Sequence, residues 1–172
     1  RDDRSVRPRS RSRMVKPVPT REQILDWLQA VKDPEIPTVS VVDLGIITEV
    51  ESGPGGVRVE MIPTFSGCHA LGFMQLHVEE CLRAQGLEQV QVRVNRNKAW
   101  SSDYLTDAGR EGLRAHGLAL PPRSANGPDE PAECPKCGSL RTQLLSPFGP
   151  TLCRAIHHCS DCLETFEQFK PV

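Results

Sequence analysis

The chain has 172 residues, 25% of them charged and 38% hydrophobic, with a net charge of −1. That is long enough to bury one modest core with a small module beside it, so the fold need not rest wholly on disulfides or metals. No run approaches eighteen consecutive apolar residues and no signal-peptide hydrophobic region is seen, which excludes a helical membrane span and points to the cytoplasm.

The charge is unevenly spread. Residues 1–16 hold seven basic side chains and two acids; the rest holds 14 basic and 20 acidic ones, a net of −6. Such a body disfavours nucleic acid as a partner, because neutralising phosphates needs clustered Lys and Arg. The Ser/Arg-rich arm over 1–19 is expected to be disordered, and its position largely before Met14 suggests an upstream extension.

The elements follow in chain order. Thr20 and Gln23 form a capping box, and Ile24, Leu25, Trp27, Leu28 and Val31 make a helical stripe that Pro34 stops. Asp33-Pro-Glu-Ile-Pro37 is a turn, in which Asp33 and Glu35 are either functional or simple turn caps. Val39–Val50 reads as a strand broken near Asp43-Leu-Gly45. Ser52–Gly56 is a hairpin loop into a second, antiparallel strand with Val57, Val59 and Met61. Thr64–Cys68 leads into a helix carrying Leu71, Met74, Val78, Cys81 and Leu82, with Gly86 after its end. Val90–Val94 alternates as a third strand, and Thr106–His116 is a second amphipathic helix. Trp100 and Tyr104 lie in a loop, as partner anchors or as packing over the sheet edge. The expected class is α+β: a small three-stranded sheet with helices packed on one face, in the order α-β-β-α-β-α, over residues 20–120. Residues 121–131, rich in proline, read as a linker to a second unit, 132–172.

Five of the seven cysteines crowd that second unit. Cys134-Pro-Lys-Cys137-Gly and Cys159-Ser-Asp-Cys162 are two tight turns whose thiolates can converge on one tetrahedral ion. With few apolar residues in some forty, the unit is expected to be a zinc ribbon stabilised by its metal. His157 and His158 are alternative ligands that four well-placed cysteines make unnecessary. Cys153 is either a small buried residue or a spare thiol for metal or a partner.

Cys68 is placed at a helix start, where unsatisfied amides and the helix dipole would lower its pKa and suit a nucleophile or soft-metal ligand. Asp33, Glu35, Asp43, His69 and His77 are its candidate neighbours. Cys81 and Trp27 read as core.

Asp33–Pro37, Val42-Asp-Leu-Gly-Ile46 and Thr64–Cys68 resemble the signature of the SufT-type iron–sulfur maturation family over roughly residues 20–118. With the Pro-rich linker and the Cys134–Cys162 ribbon ending Phe166-Glu-Gln-Phe-Lys170, the chain resembles the PaaD (also called PaaJ) family of phenylacetyl-CoA epoxidase accessory proteins. Ala99-Trp100-Ser-Ser-Asp103, Gly109 and Gly117-Leu118 fit in order, while His69 stands where that family tends to have proline. The resemblance implies a non-catalytic accessory of phenylacetate degradation that assists iron–sulfur or metal-centre assembly. Its implied partners are the epoxidase oxygenase and reductase subunits or iron–sulfur assembly proteins. It also implies a functional Cys68, for which Asp33, Glu35 and His69, as expected neighbours of the thiol, complete the candidate iron or cluster site. One thiolate falls short of the four ligands a cluster takes, so a cluster there would be labile, shared with a partner or bridged in a homodimer. The alternatives are a structural docking subunit of the oxygenase complex and an enzyme using Cys68 as nucleophile; no phosphate loop or His-x-x-x-His motif supports the last.

Overall fold

A computed structural model describes residues 18–122 and 131–171. The arm over 1–17 and most of the expected linker lie outside the described residues. The element order is α1 (Arg21–Leu28), β1 (Ile47–Gly53), β2 (Gly56–Met61), α2 (Leu71–Ala84), β3 (Val90–Val94), α3 (Asp107–Ala115), then β4 (Thr142–Ser146), β5 (Arg154–Cys159) and β6 (Thr165–Phe169). This is the expected α+β class.

The first sheet runs β1-β2-β3. β1 and β2 are an antiparallel hairpin, and β3 returns parallel to β2 after crossing over through α2. Val57, Val59 and Met61 alternate onto the buried face of β2. Leu71, Met74, Val78 and Leu82 recur at helical spacing and turn the buried stripe of α2 into the same core. The Thr20 capping box forms as expected, with the Thr20 amide donating to the Gln23 side chain and the Gln23 amide donating to Thr20 Oγ1.

Two local expectations are corrected, and of the two readings of Trp100 the packed one holds. α1 ends at Leu28, before Pro34 is reached, because Val31–Asp33 turn back to pair with the following segment. The Val41 amide donates to Val31 O and the Asp33 amide to Val39 O, closing a loop at Lys32 and Ser40. Past the Ser40 bridge, residues 41–45 are consecutive turns rather than strand, and β1 begins only at Ile47. Ser40 O accepts from the Leu44 amide at 2.8 Å, yet Val39, Val41, Leu44 and Ile46 are all buried, so an apolar run rich in Val and Ile was core without being sheet. Trp100 is interior: it is 2% exposed, donates from Nε1 to Leu44 O at 2.9 Å and meets Phe169 edge-on at 5.7 Å. Tyr104 stays exposed. Cys81 is half-buried, its Sγ 3.3 Å from Trp27 O.

α3 packs on the 38–45 turns so closely that a Cβ on Gly109 would meet the Asp43 carbonyl and one on Gly112 the Thr38 carbonyl. Asp43 anchors this junction: Thr106 Oγ1 donates to Oδ1 at 2.9 Å and Gln29 Nε2 at 3.3 Å, and Ser40 Oγ donates to Oδ2 at 2.7 Å.

The second sheet, β4-β5-β6, is antiparallel throughout. It does not stand apart from the first unit. The Ala119 amide donates to Glu167 O and the Phe169 amide to Ala119 O, and Phe169 is buried in the main core. The chain just before the expected linker is stitched to β6.

Candidate metal centre and thiol site

The Sγ atoms of Cys134, Cys137, Cys159 and Cys162 all lie within 4.8 Å of one another. Cys134 and Cys162 are 3.7 Å apart, and Cys137 and Cys159 3.6 Å. A tetrahedral ion with Zn–S bonds of about 2.3 Å requires sulfurs about 3.8 Å apart. The donor set therefore fits structural zinc, with no position left open for water or substrate.

The two knuckles share one geometry. Gly138 follows Cys137 with φ 75° and Leu163 follows Cys162 with φ 63°. The Gly138 amide donates to Cys134 O at 2.9 Å, and the Leu163 amide to Cys159 O at 3.0 Å. Backbone amides two residues past the second cysteine, Ser139 and Glu164, are directed at the sulfurs of Cys137 and Cys162. The glycine of the first turn was readable in the sequence; the leucine with the same backbone in the second was not, because nothing but geometry marks it. His157 is buried and stacked on Phe166, outside the sulfur shell. Asp161 ties the knuckles together through Arg141 and Ser139. Behind the sulfurs stands only a small core of Ala119, Ala132 and Phe166.

Cys68 lies before α2, not on it: the helix begins at Leu71 with Ala70 as N-cap. The Ala70 and Leu71 amides do face its sulfur. The expected lowering of its pKa is nevertheless overturned. Burial pushes the Cys68 thiol above its ordinary value of 9.0; the two amides pull it down, Asp33 and Cys153 push it up, and the net is upward.

The ribbon reaches the surroundings of Cys68. A cavity of about 230 Å³ is lined on one side by Glu35, Phe65, Cys68 and His69, and on the other by residues 149–153, ending at Cys153. Of the expected group, Cys68, Glu35 and His69 meet there. Asp33 stands behind them as a turn cap, its Oδ1 accepting from the Glu35 amide at 2.8 Å and the Ile36 amide at 3.0 Å. Asp43 is committed to the α3 junction, and His77 meets Phe73 on α2 at 3.9 Å with the ring planes tilted by 55°.

Sequence reasoning left Cys153 open between packing and a spare thiol, and it missed the other residues that close this cavity. Cys153 is half-buried beside it, with Thr151 Oγ1 3.1 Å from its sulfur. Burial raises its pKa above 9.0, against the hydrogen bond from Thr151 and the charge of Arg154, with Asp33 and Glu35 adding to the rise. Arg154 is buried and donates to Glu35 O at 3.0 Å and to Glu167 Oε2 at 2.9 Å. Lys170 Nζ sits 4.7 Å from the Phe65 ring centre. The only sequence signal was an unassigned fifth cysteine. Both thiols stay protonated at neutral pH, which disfavours a nucleophile.

Comparison with known proteins assigns the two units. Residues 119–170 match the PaaD zinc beta ribbon domain, and residues 21–94 match an iron–sulfur cluster assembly protein family. The chain is 35% identical over 154 residues to an Escherichia coli K12 protein named as a putative 1,2-phenylacetyl-CoA epoxidase subunit, covering 88% of this chain and 93% of that one. The chain belongs to the PaaD family. Its first unit alone is 34% identical over 90 residues to a Porphyromonas gingivalis protein named "Fe-S protein maturation auxiliary factor", covering 51% of this chain and 85% of that one. A conserved hypothetical protein of Thermotoga maritima has a similar fold, with a TM-score of 0.50 and 25% identity over 58% of this chain and 98% of its own. This PaaD-family chain therefore joins a small α+β body, shared with proteins that lack the ribbon, to a family-specific ribbon. No helix among its described residues is long and apolar enough to cross a membrane.

Proposed function

We propose that this PaaD-family chain is a non-catalytic, cytoplasmic accessory factor of aerobic phenylacetate degradation. It assists assembly of an iron–sulfur or other metal centre in the phenylacetyl-CoA epoxidase complex, with Cys68 as the thiol that contacts the cargo. Its parts are a basic arm (1–19), a maturation-type body (20–120), a linker (121–131) and a zinc ribbon (132–172). Its partners are the oxygenase and reductase subunits or iron–sulfur assembly proteins, and a cluster at Cys68 is labile, completed by a partner or a second copy.

The observation that carries this reading is the position of Cys68. Its sulfur lines a cavity of ion-to-cluster size, beside Glu35 and His69, in a body that matches the iron–sulfur assembly family. Neither thiol of the cavity is activated, which favours binding over turnover. The test is Cys68→Ala in cells grown on phenylacetate. The variant should fold and bind zinc, while the epoxidase reductase accumulates short of iron and sulfide. Full reductase loading and parental growth would show that the thiol is only packing.

A docking subunit is the second reading. Leu144, Leu145, Phe148 and Leu152 are exposed on the β4 side of the ribbon and its adjoining loop, an apolar strip of the kind that partners cover. Stoichiometric co-purification with the oxygenase would favour it; transient association favours the maturation factor.

A further inference from the structure

The zinc centre uses four of the ribbon's five cysteines and leaves Cys153 without a task. β5 separates them: Cys159 binds at one end, and Cys153 precedes the other end at Arg154. Six residues of extended chain span about 20 Å, so Cys153 is out of reach of the zinc. It is instead half-buried on the cavity that Cys68 lines from the body.

The ribbon is held there by specific contacts. Arg154, next in sequence to Cys153, donates to the carbonyl of Glu35 on the far wall of the cavity. The Lys170 amide donates to Cys153 O at 2.9 Å while its ammonium lies over the Phe65 ring on the body. The walls approach so closely at Gly67 that an added Cβ would stand 2.8 Å from Leu152 Cδ1. The two thiols are therefore brought together by tertiary structure, not by chance exposure of a loop.

We propose that Cys68 and Cys153 are the two thiol ligands of one site for a thiophilic divalent cation, and that the zinc ribbon completes this site by carrying Cys153 onto the body. Binding forms two metal–sulfur bonds and releases two protons, one from each thiol. The two thiolates neutralise the dication, so a half-buried ion leaves no net charge under the loop. Two thiolates suit iron, cobalt or zinc rather than magnesium or calcium, and the remaining positions are left to water or the client. That the ion is ferrous iron rests on the function proposed above; the two-thiol site does not.

The test uses the full chain, reduced, anaerobic and with its ribbon zinc in place. Cobalt(II) is the probe, read by its sulfur-to-metal charge-transfer absorption, whose intensity follows the number of thiolates bound. The parent should take one cobalt beyond the zinc. Cys153→Ala and Cys68→Ala should each weaken binding by more than about a hundredfold, beyond the 10–100-fold that losing an outer-shell partner costs. Residual absorption at saturation should be halved. Cys81→Ala should bind as the parent does, and zinc content with circular dichroism reports the folding of every variant. Parental affinity and absorption in Cys153→Ala, or no second metal in the parent, overturns the proposal. Reductase loading separates the two readings. If Cys153→Ala binds cobalt normally while Cys68→Ala leaves the reductase unloaded, the two-thiol site falls and the proposed function stands. If both variants lose cobalt yet the reductase loads fully, the site stands and the proposed function falls.

Discussion

Phe169 belongs to the ribbon by sequence and to the body by packing, so its truncation measures how far the two share one core. It is 1% exposed and meets Trp100 edge-on, with ring planes at 75°. Replacing a fully buried phenylalanine by alanine costs about 3–5 kcal/mol in transfer and cavity energy. With a urea dependence of about 2 kcal/mol per molar for a chain of this size, Phe169→Ala should lower the unfolding midpoint by about 1.5–2.5 M. The chain's two tryptophans, Trp27 and Trp100, both lie in the body, so fluorescence reports the body alone. The experiment is a urea titration of zinc-saturated protein, parent against variant. The body's midpoint should fall by that amount and the Trp100 emission shift to the red. A body midpoint unchanged within about 0.2 M would refute the shared core and restore two independent units.

Cys159→Ser should abolish zinc binding, measured by elemental analysis, and unfold the ribbon, because so few buried residues stand behind the sulfurs; it should also lower the body's midpoint, since Phe169 leaves with the ribbon. Gly109→Ala should destabilise, although alanine is favoured over glycine in a helix by about 1 kcal/mol, because its Cβ meets the Asp43 carbonyl; a variant at least as stable as the parent by urea titration would refute the close packing of α3. Asp43 has its pKa held below the ordinary 3.8: burial opposes ionisation, but hydrogen bonds from Ser40, Thr106 and Gln29 and the charge of Lys32 outweigh it. Its contribution is therefore present above the unfolded pKa of 3.8 and is lost as pH falls through the lower folded value, so the stability gap between parent and Asp43→Asn should stay constant through neutrality and close as the pH is taken below 3.8.

Much of the molecule was legible in the chain because its signals are local. A capping box needs only Thr20 and Gln23, and the α2 stripe only its spacing. A zinc knuckle needs two cysteines on one turn, so Cys134, Cys137, Cys159 and Cys162 could be named before any fold was known. What failed were inferences that took local composition for backbone form. Residues 39–46 have the apolar content of a strand, but Ser40 and the α3 junction curl residues 41–45 into turns, and burial is satisfied either way. Cys68 reads as the start of a helix, yet it lies before α2, and its pKa rises because burial outweighs the amides that face it.

The helices, the strands and the cysteine pair of each knuckle are written in the amino-acid order alone, since each depends on side chains within a turn or a strand of one another. Three contacts are not: Phe169 filling the body's core, Arg154 reaching the Glu35 carbonyl, and Cys153 lying across the cavity from Cys68. They join segments far apart along the chain. They are set by how a metal-bound hairpin seats on the body, which no periodicity or spacing within either segment encodes.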